Sequence, residues 1–440
     1  MYIVSKNIKN LSLAFVLFGL IGIGYGFYSS PKTIEESKEM IAKSGYDSHS
    51  GDYDSHNEKN HSSYHENGHV MSHDEHVFHQ LANRPWAAIY VAAFFFFMIS
   101  LGTLAFYAIQ RVSQAGWSPL LFRVMEGITG YLLPGGIFVI IILILSVMHF
   151  NHLFIWMDPE VVEHDKIIKA KSGYLDSGFF LIRAVIYLSG WVIYRYVSRK
   201  LSIAQDSAND SKNHIKNFKL SAVFLVFFLV TESMMSWDWI MSIDPHWFST
   251  LFGWYVFASM VVSAVTTIAL ISIYLKSSGY ITDVNSNHLH DLAKFMFGFS
   301  VFWAYLWFSQ FMLIWYSNIP EEVVYFISRI EDYAIPFWGM VVLNLIFPFL
   351  ILISSNFKRS NWIIVMAGII ILIGHYIDVF NMIMPSAVGD QWFIGIPEIG
   401  SIMFFGGIFM YVVFSSLTKA PLEASGDPFN TESKKFVYPH

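Results

Sequence analysis

SAVFLVFFLVTESMMSWDWIMSIDPHWFSTLFGW, residues 221–254, begins as a membrane-spanning helix and then places Glu232 and Asp238 inside the same apolar run. A charged group at the bilayer centre costs at least about 2.5 kcal/mol, so an acid in such a run faces protein or water and marks a path for a proton, an ion or a substrate. The stretch reads both as a transmembrane element and as a candidate functional one. Its Asp-Pro step, in MSIDPH at 241–246, closes the helix, because proline lacks an amide hydrogen and disfavours helical geometry in the residue before it. A second Asp-Pro step, in IWMDPE at 155–160, ends another apolar run in the same way.

The same apolar character extends over the chain. Of its 440 residues, 55% are hydrophobic, 18% aromatic and only 14% charged, which is the composition of an integral membrane protein. Runs of about 20 apolar residues, long enough to cross a bilayer, lie near 10–28, 86–109, 130–155, 178–197, 220–243, 250–275, 294–317, 335–354, 361–383 and 395–417. The expected fold is therefore all-α with ten transmembrane helices. Lys6 and Lys9 ahead of the first run resemble a secretory signal, but no small-x-small cleavage site follows Tyr28, and a retained anchor is expected. With the N-terminus inside, the cytoplasmic segments hold 17 of the 27 basic residues, which predicts that both termini are cytoplasmic. The net charge of −6 is spread over loops, and no basic stripe suggests nucleic acid.

The chain has no cysteine, so its own sulfurs can bind no iron–sulfur cluster, covalent c-type haem or thiol redox centre. A b-type haem needs paired histidines, and in or at the ends of the apolar runs the sequence offers only His149, His152 and His375. The loop at 29–85 is rich in histidine, with eight between His49 and His79. Such tracts can bind metal. The irregular spacing and the Ser, Asn, Asp and Gly neighbours read instead as a solvated, poorly ordered segment.

Ionisable residues within the runs are expected mostly in the outer half. His149 and His152 end the third run three apart, hence on one helical face. Arg183 lies in the outer third of the fourth, as a headgroup contact or a partner of Asp238 or Asp378. Glu232 is near mid-depth in the fifth and Asp238 closer to the outside, where Trp237, Trp239, Trp247 and Trp254 could make it part of an interfacial aromatic belt. His375 and Asp378 share a face of the ninth. Glu126 accompanies Arg123 at the cytoplasmic start of the third, and Gln310 and Asn344 add polar side chains elsewhere.

The segments MDPEVVEHDKIIKAKSGYLD at 157–176, FFLIRAVIYLSGWVIYR, TESMMSWDWIMSIDPHWFSTLFGWYVF and HDLAKFMFGFSVFWAYLWFSQFMLIWYSNIPEE resemble the smaller of the two NrfD-like membrane subunits of bacterial alternative complex III, the ActF family. The resemblance runs from the second span to the tenth. It implies two four-helix bundles, at 86–249 and 250–393, flanked by an anchor at 1–28 with its periplasmic loop at 29–85 and by a last span and tail at 394–440. It also implies the inner membrane of a bacterium and a respiratory quinol:cytochrome c or other electron acceptor oxidoreductase. Partners would be the larger NrfD-like paralogue, an iron–sulfur subunit and haem c subunits, with lipids around them and a terminal oxidase beyond. The redox centres would sit on those partners, with quinone or menaquinone as the one cofactor this chain could meet.

Oxidising a quinol releases two electrons and two protons, and the protons need titratable acceptors. The leading expectation is a proton-conducting path through Glu232, Asp238, His149, His375, Asp378, Arg183 and Glu126. A quinone contact at Asp238 or His149 is a subsidiary one. The alternatives are a scaffold subunit of the same complex and, from another class, an ion-coupled transporter, which would show inverted repeats with broken helices.

Overall fold

The computed structural model describes residues 2–44 and 73–437. Among the described residues, ten helices are long and apolar enough to cross a membrane: α1 Lys6–Ser29, α2 His73–Val112, α3 Pro119–Val147, α4 Ser177–Gln205, α5 Lys212–Trp239, α6 Phe252–Ser277, α7 Ser286–Ser317, α8 Ala334–Leu352, α9 Asn361–Val388 and α10 Ile396–Leu417. No strand occurs among the described residues. The all-α, ten-span membrane architecture expected from hydropathy is the one observed.

α2 and α6 are apolar on every face and, over their most apolar stretch, 89% buried, as helices without a polar side must be when the solvent-facing positions lie on their neighbours. α3 and α5 pack on α2 with α4 seated between them, and α7 and α9 pack on α6 with α8 seated between them, so two four-helix bundles meet where α2 touches α6 and α9 and where α5 touches α6. α1 lies almost entirely against α10. Glycines make that contact: a Cβ on Gly19 would fall 2.4 Å from the backbone nitrogen of Phe404, and one on Gly22 would fall 2.8 Å from the Cα of Gly400. Small residues let two backbones touch, which is how helices associate in lipid without a hydrophobic drive.

The even number of spans puts both termini at one end of the molecule, here the terminal end. The connections at 148–176, 240–251, 318–333 and 389–395 form the opposite, loop end. α2 reaches further at the loop end than hydropathy predicts, starting at His73 rather than 86. At 40 residues it is about 60 Å long, twice the roughly 30 Å of a hydrocarbon core. Pro85 lies inside it and leaves the Leu81 carbonyl without its helical donor, and Ser30 Oγ donates to that oxygen at 3.5 Å. Arg84 fastens the extension to α10 by a bidentate pair with Glu398 at 2.9 and 3.1 Å and stacks 3.3 Å over the Phe393 ring. The histidines from His49 to His69, and the metal binding weighed for them, lie outside the described residues.

At the terminal end the tail folds back instead of trailing. Arg111 binds Asp427 at 2.7 Å, Ser433 Oγ donates to the Trp117 carbonyl at 2.7 Å, and Lys434 reaches Asp283 and Glu423. α7 also begins earlier than the predicted 294, because Asn285 caps it in a reciprocal box with His288.

Candidate functional site

In the first bundle, α4 and α5 bring Arg183 to Asp238. Arg183 Nε meets Oδ2 at 2.8 Å and Nη2 meets Oδ1 at 2.9 Å, a fork-on-carboxylate geometry that adds direction to charge. Tyr187 donates to Oδ2 at 3.0 Å. The other face of the guanidinium covers Tyr174 and Phe179, and its Nη1 donates to the Tyr174 carbonyl at 3.0 Å. Asp238 is 0% exposed. Arg183 therefore pairs with Asp238, and neither with Asp378 nor as a headgroup contact. The aromatic-belt reading does not hold for the central tryptophans: Trp239 is buried against Phe97, Tyr187 and Trp191, and Trp247 is buried in a stack on Tyr325, whereas Trp254 is half exposed.

The acid of the second bundle has other company. Asp378 on α9 is also 0% exposed, and it accepts from the Tyr255 hydroxyl, from Ser259 Oγ at 2.8 Å and from Trp303 Nε1 at 2.9 Å. Each of these donors is neutral, and they come from α6 and α7. His375, one turn earlier on α9, places Nδ1 2.9 Å from the same Ser259 hydroxyl and 3.5 Å from Asp378 Oδ2. His375 Nε2 and both amide atoms of Asn344 are buried without a hydrogen-bond partner. Asn344 is carried inward by a π turn at Val342–Ile346 and rests on Gly374, where a Cβ would come within 2.1 Å of its Oδ1. Such single π turns recur at functional positions. Gln310 lines a small void beside this cluster together with Tyr255 and Arg329.

Glu232 is buried on α5 about 10 Å from the helix end at Trp239, and its Oε1 has no partner. It joins neither acid cluster by any hydrogen bond or ion pair among the described residues.

His149 and His152 do not share a helical face, because α3 ends at Val147. His149 sits in the left-handed region at φ 59°, and the amides of His149 and Phe150 bond back to the carbonyls of Ser146 and Leu145. This is the closure that usually employs glycine. His152 instead lies in the following loop, where Asn83 of the α2 extension holds its backbone through both amide atoms, at 2.9 and 3.0 Å. The result is a cavity of about 310 Å³ at the loop end between the bundles, with His79, His149, His152, Asn151, Asp158 and Asp244 in its wall. Burial lowers the pKa of His152, with the nearby His79 and His149 adding and Asp158 opposing. Asn151 Nδ2 lacks a partner, while its Oδ1 accepts from Ser146 and Leu153. Among the described residues no three ligand-type side chains converge to hold a metal ion.

Glu126 is remote from all of these. It lies at the terminal end, bound to Arg123 at 2.7 Å and to the Tyr107 hydroxyl at 3.2 Å, in a network with Asp206, Arg111, Ser202 and Asp427. Glu126 and Arg123 thus lie apart from the other candidate groups, as expected, and the buried ion-pair network they join is larger than the sequence indicates. The sequence does not reveal this network, because Asp206 and Asp427 lie in polar linkers and nothing local shows that the chain returns them to Arg123 and Arg111. It does contain Tyr255 and Trp303, in FGWYVF and VFWAYLWF, but only the helix packing aims them at Asp378. No protein-family model matches the chain, and no curated protein proves similar to it.

Proposed function

We propose that this chain is a proton-conducting membrane subunit of a quinol-oxidising respiratory complex of the alternative complex III type, with the electron-carrying iron–sulfur and haem c centres on partner subunits. The observation that supports it best is Asp378, a carboxyl sealed between helices without an arginine or lysine, held only by neutral donors and one turn from a histidine. A carboxyl so placed has no arginine or lysine as a fixed countercharge, so a proton can reach it without breaking an ion pair to one. His375, joined to it through Ser259, can take the proton in turn. Glu232, buried and short of partners, is the second proposed carrier.

Asp238 is assigned a different role. Its two oxygens are committed to Arg183 and Tyr187, and protonating it would leave a buried guanidinium uncompensated, so it serves as a rigid pair that fixes α4 to α5. This favours, for the first bundle, the scaffold reading. A quinone contact is proposed at His149 rather than at Asp238, because His149 opens on the cavity and a neutral imidazole can accept a quinol hydroxyl proton.

The test is Asp378→Asn in the assembled complex. Assembly and partner haem content should stay at the wild-type level while quinol oxidation, or the proton release linked to it, falls by about 10²-fold, the usual contribution of a positioned acid–base group. Full activity of both Asp378→Asn and Glu232→Gln would refute the proton role. Isolation of the chain without haem-bearing partners would refute the complex.

A further inference from the structure

At the terminal end, the last turns of α4 and the second residue after α10 border a cavity of about 510 Å³ lined by Arg195, Tyr196, Arg199, Lys200, Ile203, Ala204 and Lys419. Residues 195, 196, 199, 200, 203 and 204 follow one another at helical spacing, so they form a single face of α4. Four of the seven lining residues are cations, and no acid lines the cavity.

None of the four is neutralised by an ion pair among the described residues. Arg199 donates to the Glu126 carbonyl at 3.3 Å and to Ser416 Oγ and carbonyl at 2.6 and 2.9 Å, and Arg195 reaches Thr129 Oγ1 at 3.5 Å, all uncharged acceptors. The carboxylates of the neighbouring network, Glu126 and Asp206, are both held by Arg123. Positive charge is concentrated here without its counterpart in the chain.

The position of the cavity identifies what could supply that counterpart. Immediately along α4, Ile193, Tyr196 and Val197 are exposed, Tyr196 at 66%, and on a membrane-crossing helix such a surface faces acyl chains. A ligand here has its apolar part beside these residues and its anionic part among the arginines. Guanidinium forks match the oxygens of a phosphate, and a basic pocket between spans is the form that headgroup sites take. We propose that this cavity binds the phosphodiester headgroup of an anionic phospholipid, which clamps α4 against α10.

The experiment is native mass spectrometry of the full-length protein, in its complex where it has one, after graded delipidation and add-back of phosphatidylglycerol, cardiolipin or phosphatidylcholine. The wild type should retain anionic lipid. Arg195→Gln with Lys200→Gln should weaken retention by about fivefold per cation, hence roughly twenty-fivefold. Lys200→Gln with Lys419→Gln, two exposed positions outside the helix contacts, should do the same without disturbing the fold. Unchanged retention in both double variants would overturn the proposal, as would equal retention of phosphatidylcholine by the wild type. Displacement of the lipid by inorganic phosphate alone would also overturn it, assigning the cavity to a free anion.

Discussion

Each bundle buries one aspartate on its last helix, and the two are satisfied in opposite ways. Asp238 is clamped by an arginine fork, and Asp378 is cradled by a phenol, a hydroxyl and an indole. The second bundle does contain an arginine before its third helix, Arg329, but that side chain donates to the carbonyls of Asn381 and Tyr325 and lies 3.4 Å over the Tyr325 ring. Removing one partner of a buried ion pair leaves an uncompensated charge, whereas removing the charge of a carboxylate held by neutral donors leaves no cation unpaired. One architecture thus holds one buried carboxylate by an ion pair and the other by neutral donors alone.

The largest effect should come from breaking the clamp. Arg183→Leu leaves the Asp238 charge buried and unpaired, which costs about 3–5 kcal/mol. Thermal unfolding in detergent should show a steep loss of stability or failure to accumulate, and Arg183→Leu combined with Asp238→Leu should recover most of it. A single variant that melts like the wild type would remove the distinction between the bundles. Asp378→Asn should be far milder for stability, within about 1.5 kcal/mol, because the amide keeps one acceptor for Ser259 and Trp303. The contrast is read by unfolding both variants in parallel: loss of the pair should lower stability steeply, and loss of the Asp378 charge should not.

The class of fold was legible because hydropathy depends only on run length, and ten runs appear as ten helices. Helix ends were less so. α2 starts thirteen residues early because Asn83 and Arg84 find partners on the distant His152 and Glu398, and a polar stretch is indistinguishable from loop until those partners are known. The pairing of His375 with Asp378 followed from spacing on one helix. That of Arg183 with Asp238 was one of several options, since sequence order does not say which helices touch. His149 and His152 do not share a face for a local reason: α3 ends at Val147 and His149 itself turns the chain in the left-handed region.

His149 offers a cleaner probe of the cavity between the bundles. A non-glycine residue in the left-handed region costs about 1–2 kcal/mol, and glycine loses about 0.5–1 kcal/mol of that gain to unfolded-state entropy. His149→Gly should therefore leave stability unchanged or raised by up to about 1 kcal/mol while deleting the imidazole. If quinol-linked turnover falls without loss of melting temperature, the side chain acts chemically. Unaltered turnover would confine proton handling to the second bundle and leave the cavity a passive one.

The smallest effect concerns His152, whose half-buried ring has its pKa depressed by burial and by the neighbouring His79 and His149. In the unfolded chain the ring takes a proton as pH falls through about 6.5, whereas the folded protein resists it. Unfolded protein then binds more protons than folded, so stability declines as pH drops below about 6.5 and levels off once the folded ring is also protonated. Above that value the group contributes no pH dependence. His152→Asn should remove this part of the decline and leave the melting temperature near pH 8 close to wild type, because Asn83 holds the backbone of residue 152 and not its ring. Thermal melts of the two proteins across pH 5–8 provide the measurement. Parallel curves would show that the depressed pKa of His152 contributes nothing measurable to stability.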